Sequence, residues 1–151
     1  MTPSYHVVAS TAISAILFLI FRSWGLAIAS FISGVFIDLD HVLDYIFEHG
    51  LPRDVKKFFH FFYGEKYKKL TLILHGWEWL FLMAIVSWLT GWPPWVTGLT
   101  IGWGQHMLFD RFYNISTFGS YSFFWRLKNG FDATKFLLKN RTKSGKYNRD
   151  L

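Results

Sequence analysis

Asp38, Asp40, His41 and Asp44 stand together in the stretch FIDLDHVLDY, residues 36–45, at the end of a long apolar run. Charge is costly in such a place unless it serves a partner or a wet cavity. Other apolar stretches carry the same residue types. His6 opens one, His75 and Glu78 lie early in another, and His106 and Asp110 close a fourth. Read as helices, Asp38 and His41 are i,i+3, Asp40 and Asp44 i,i+4, His75 and Glu78 i,i+3, and His106 and Asp110 i,i+4, so each pair shares a face. Histidine and carboxylate three or four residues apart offer two ligands to one metal ion, as in helix-bundle metal sites. The chain has no cysteine, which excludes disulfides and thiolate zinc sites and leaves only nitrogen and oxygen donors. The donors exceed the needs of one tetrahedral ion, and two ions sharing a bridging carboxylate or water fit the count. Zinc suits the mixture best, with manganese and iron the next choices.

The elements that must position these groups read as membrane helices. The 151 residues amount to one domain by length, and 52% are hydrophobic, gathered into runs nearly free of charge. The runs are residues 6–21, 24–37 (continuing through Asp38 to Phe47), 70–92 and 94–109. Including their polar ends, they approach the roughly 20 residues that a span requires. Turns at RSWG (22–25) and GWPP (91–94) pair them into two hairpins. The expected fold is therefore all-α, a polytopic membrane protein with four transmembrane helices. The first run lacks the basic leader and cleavage site of a signal peptide and reads as a retained span. Small residues along the first two runs, among them Ala9, Ser10, Ala27 and Gly34, permit close helix approach. Eight Trp, seven Tyr and seventeen Phe supply interfacial belts.

Lysine and arginine set the orientation. The short turns contain only Arg22, whereas the 44–69 loop and the tail after Asp110 hold the other fifteen of the sixteen. By the positive-inside rule both are cytoplasmic, and four spans put the N-terminus there too. Within the loop, Val55, Phe58, Phe59 and Phe62 recur at helical spacing between lysines, predicting a helix in the headgroup layer over 48–69. Residues 120–140 repeat the pattern with Phe124, Leu127, Phe131 and Leu138, although Gly130 interrupts it. Residues 1–115 thus form a membrane-embedded helical domain and 116–151 a cytoplasmic interfacial helix with a basic tail. This topology brings His6, Asp38, Asp40, His41, His75, His106 and Asp110 to one membrane depth on the cytoplasmic side. With no Lys or Arg inside the spans, a metal cation is the natural counter-charge. The net charge of +6 matches anionic headgroups; no nucleic-acid motif accompanies it.

The joint pattern His6, Asp38-Leu39-Asp40-His41, His75 and His106-Met107-Leu108-Phe109-Asp110 resembles the membrane-bound metal-dependent hydrolases over residues 1–115. That family is itself distantly similar to zinc-dependent phospholipase C. Many members carry His-Arg-x-x-Thr-His-Ser where this chain has KKLTLILHGWE, lacking the first His and the Arg and replacing the Ser with Gly76. This version is similar to a subgroup with His-Ser-Trp-Glu, which implies that Glu78 joins the site.

The resemblance implies hydrolysis of a phosphoester in a lipid or lipid-like substrate of the inner or plasma membrane, by water that the metal activates. Asp38, His41, His75, His106 and Asp110 are the leading ligands, with His6 next. Asp40 either bridges metals or supports a ligand from behind. Glu78 is the general base unless it is a ligand. Lys68, Lys69 and Arg111 would hold the anionic headgroup. Two other classes fit the same residues: a non-catalytic membrane protein that binds or senses metal, and a lipid-docking scaffold. The lipid-facing surface of four short helices leaves room for a homodimer.

Overall fold

The structure, a computed structural model, describes residues 3–51, 69–113 and 118–136. The described residues form helices and turns, with no β-strand beyond one isolated bridge between Lys69 and Asp132. Helix α1 is Pro3–Phe21, α2 Trp24–Phe36, α3 Leu39–His49, α4 Trp77–Leu89 and α5 Pro94–Tyr113. A 3₁₀ turn, Phe118–Tyr121, leads into α6 (Phe123–Lys128) and α7 (Ala133–Phe136). The expected interfacial helix over 48–69, Lys68 and the basic tail beyond residue 136 lie outside the described residues, except for Glu48–Leu51 and Lys69.

Among the described residues, two helices are long and apolar enough to cross a membrane: α1, of 19 residues, and the continuous run Trp24–His49, of 26. The second is α2 and α3 joined through a tightened turn at Ile37–Asp38, where Asp40 N–H bonds to Ile37 O at 3.3 Å and His41 N–H to Asp38 O at 3.1 Å. The third apolar run departs from expectation. Its helix, α4, has only 13 residues, or about 20 Å at 1.5 Å per residue. Residues 70–76 stay irregular because their backbone groups are satisfied from outside. Asp44 accepts from Thr71 and Leu72 N–H at 2.8 and 3.1 Å, Asp40 accepts from Leu74 N–H at 2.9 Å, and Leu70 N–H donates to Phe131 O at 2.9 Å. His75 therefore stands before α4, not on it, and does not share a helical face with Glu78. The expected helix over 120–140 is likewise broken: Phe131 and Gly130 sit at φ +56° and +66°, ending α6 and turning the chain into α7.

The bundle is held by close approach of small residues. Helix α5 lies along α2, which also packs on α1, while α4 leans on α5. A side chain at Gly98 would collide with the Leu26 carbonyl and one at Gly102 with the Ser30 carbonyl, so both positions require glycine. The polarity is inverted relative to a water-soluble domain. Ser10, Ser30, Ser33, His106 and Asp110 are buried, whereas Ile16, Leu19, Ile20, Phe81, Leu82, Trp88 and Leu89 are exposed.

Candidate metal centre

Four separate pieces of backbone deliver the acidic and imidazole groups to one point. His6 comes from the first turns of α1, Asp38 from the turn between α2 and α3, and His106 and Asp110 from successive turns of α5. His75 enters from the irregular 70–76 segment. His106 Nε2 lies 3.2 Å from His75 Nε2, 3.4 Å from Asp38 Oδ1 and 3.7 Å from Asp110 Oδ2. His75 Nε2 is 3.7 Å from Asp38 Oδ1 and 3.5 Å from Asp110 Oδ2.

The hydrogen-bonding of the two imidazoles decides what that point can hold. His106 Nδ1 is 2.9 Å from Gly34 O, and a carbonyl oxygen only accepts, so Nδ1 carries the hydrogen. His75 Nδ1 is 3.0 Å from the Asp40 carboxylate, which orients the ring in the same way. In the neutral rings both Nε2 atoms then present lone pairs to one another, with carboxylate oxygens beside them. Buried His and Asp groups placed this way could hold a metal ion. Zinc bonded to N and O donors at about 2.0–2.1 Å sets tetrahedral donors about 3.3 Å apart. The five separations just given run from 3.2 to 3.7 Å, so each of these pairs among His75, His106, Asp38 and Asp110 is spaced as two donors to one ion would be.

Outer contacts hold these donors. Asp40 supports His75, and the Gly34 carbonyl supports His106, the pattern by which ligand imidazoles are usually oriented. His6 Nε2 lies 3.0 Å from Asp110 Oδ1, and its ring stacks on His106 at 3.9 Å between centroids. Counting His6 as a donor gives one close group of His6, Asp38, His106 and Asp110; a second is Asp38, His41 and His75. Asp38 belongs to both groups. Only Asp38 and His41 open outward, with side chains 16% and 21% exposed against 1% for His75.

All seven residues expected as metal ligands gather here, with Asp40 behind His75. Its Oδ2 is occupied by His75 and Leu74 N–H. Glu78 is engaged elsewhere: it accepts from the Ser122 hydroxyl and from Phe123 N–H at 3.0 Å and Phe124 N–H at 3.4 Å, capping α6. It is not in either group of close donors. Lys69 is exposed and, with Asp44, Phe47, Glu48 and Thr71, lines a cleft of about 320 Å³. Arg111 is half-buried in the last turn of α5.

Sequence reasoning missed Arg126. It is 1% exposed and donates to His75 O at 2.9 Å, to Leu72 O at 2.7 Å and to Ser120 O. Burial lowers its pKa from the ordinary arginine value, opposed by the negative charges of Asp40, Glu78 and Asp44. In the sequence it is one of nine cationic residues after Asp110, and no spacing distinguishes it. No family model, curated protein or solved structure matches the chain.

Proposed function

We propose that this chain is a four-span membrane protein, its termini cytoplasmic, that holds a divalent metal, zinc first, and hydrolyses a phosphoester of a lipid or lipid-like molecule. The observation that carries the reading is the pair of imidazole Nε2 atoms 3.2 Å apart with carboxylates beside them. The exposed apolar surface of α1, α4 and α5 supports the membrane setting.

His75, His106, Asp38 and Asp110 would hold the ion, His6 and Asp40 would fix Asp110 and His75, and His41 stands at the open side. When bound, a divalent metal would supply Lewis acidity for activating water and polarising a phosphoryl oxygen. Asp38, the most exposed of the four donors, faces the side from which a substrate enters. The cleft with Lys69 is large enough for a phosphorylated headgroup and sets one cation and the apolar wall of Phe47 beside the carboxylates of Asp44 and Glu48. A second reading, metal binding or sensing without turnover, draws on the deep burial of His75, His106 and Asp110. A closed set of protein donors is the habit of structural zinc.

Elemental mass spectrometry of the detergent-purified protein tests the shared premise. One or two equivalents of zinc, manganese or iron are expected, and His106→Ala should lose them while still inserting in membranes. A screen of lipid phosphates then separates the two readings: turnover supports the hydrolase, and metal without turnover supports the sensor. Absence of metal after reconstitution with each ion would overturn both.

A further inference from the structure

We propose that Arg126 is a positioning residue for His75, making the C-terminal segment a part of the metal site; the inference rests on the metal reading above. Of the proposed donors, His106 and Asp110 stand on α5 and Asp38 in the short turn that joins α2 to α3, whereas His75 stands on a longer irregular segment. Helix geometry places His106 and Asp110 one turn apart, but nothing intrinsic to residues 70–76 fixes where His75 points. Leu72, three residues earlier, has φ +43°, a left-handed conformation that an ordinary side chain adopts only when its surroundings enforce it. Asp44 holds the Leu72 N–H, and Arg126 holds the Leu72 carbonyl.

Arg126 grips this turn at both ends. One guanidinium nitrogen bonds to Leu72 O and the other to His75 O, spanning the turn that His75 N–H closes onto Leu72 O at 3.0 Å. The second nitrogen also bonds to Ser120 O, which ties the turn to the segment carrying the arginine. A planar fork with several donors can satisfy three carbonyls at once, whereas a lysine ammonium on a flexible stem cannot reproduce that geometry. On the ring itself, Asp40 fixes rotation through Nδ1. Asp40 holds the ring and the Leu74 N–H, whereas Arg126 holds the Leu72 and His75 carbonyls, so Arg126 acts on the ion only through His75.

A double-mutant cycle tests this, with Co²⁺ alone as the probe on the full-length protein in detergent. Visible absorption reports the donor set, and chelator competition gives the affinity. Arg126→Met should weaken Co²⁺ binding about 10–100-fold, the usual cost of losing a residue behind a ligand. It should shift the spectrum toward that of His75→Ala, and the double variant should bind no worse than His75→Ala alone. Additive losses, or an unshifted Co²⁺ spectrum and full affinity in Arg126→Met, would overturn the proposal. Should Arg126→Met fail to fold by circular dichroism, Arg126→Lys carries the same cycle, with an intermediate loss expected and full affinity overturning it. Wild-type affinity in His75→Ala would instead remove His75 from the metal reading itself, an outcome the cycle distinguishes from failure of the arginine alone.

Discussion

His106 and His75 meet at 3.2 Å but reach that point by different means. His106 sits on a 20-residue helix whose glycines let α5 lie against α2, so that Gly34 O meets its Nδ1. Backbone periodicity does the positioning, and one carbonyl completes it. His75 sits on a loop tied down by Asp40, Asp44, Trp103 and Arg126, drawn from three different elements. The comparison teaches why acids are retained at the foot of a greasy helix. Asp38 faces the site, but Asp40 and Asp44 give their oxygens to backbone N–H groups of an irregular segment, which can lie deep in an apolar bundle only if protein satisfies it.

The difference can be broken most severely at Asp40. Asp40→Ala removes the acceptor of both His75 Nδ1 and Leu74 N–H, leaving two buried donors unpaired. Metal affinity should fall about 10–100-fold, as for other partners behind ligand imidazoles. Circular dichroism should stay near wild type, because α1, α2 and α5 do not depend on this contact. Chelator competition with Zn²⁺ measures it. Loss of helix in step with metal would show that the loop-borne half is not separable from the bundle.

The helix-borne half should respond in the opposite sense. In Gly102→Ala the new methyl meets the Ser30 carbonyl and the Ser33 hydroxyl, so the backbones of α2 and α5 must part. Overpacking of this kind costs about 1–3 kcal/mol. The thermal midpoint in detergent should drop, with metal affinity falling less than in Asp40→Ala. A Gly102→Ala protein with unchanged stability but no metal would reverse the comparison.

Legibility in the sequence follows the same division. The spacing of His106 and Asp110 was readable because the element carrying them is a regular helix. So was the run from Trp24 to His49 that brings Asp38 and His41 to the end of a span-length helix. The loop before α4 was not readable, because its apolar residues, Leu70 to Leu74, match a helix as well as a strand or loop. What decides its conformation is Asp44, 27 residues earlier, and Arg126, some 50 residues later. Such long-range hydrogen bonds leave no periodic trace. The i,i+3 spacing from His75 and the resemblance put Glu78 in the site as general base or ligand, but the helix starting at Trp77 turns it toward α6.

The smallest effect tests that last point. Ser122 caps α6, accepting from Trp125 N–H at 3.2 Å, and donates to Glu78. Ser122→Ala should cost about 1 kcal/mol, the usual value of an N-cap, and leave metal content unchanged, since Arg126 and Asp40 still hold His75. Glu78→Gln keeps one of the two oxygens, so it can still accept from Phe123 N–H or from Phe124 N–H but not from both as placed, and should cost about 1 kcal/mol, read as a small drop in thermal midpoint. If the carboxylate serves only the α6 N-terminus, both variants retain whatever turnover the wild-type protein has. If Glu78→Gln abolishes turnover while Ser122→Ala does not, the charge is needed in the reaction, and the carboxylate must swing from its cap toward the metal site when substrate is bound. Apo hydrogen bonds do not by themselves forbid such a move. The pair of variants therefore decides whether the α4–α6 contact belongs with the scaffold or with the chemistry.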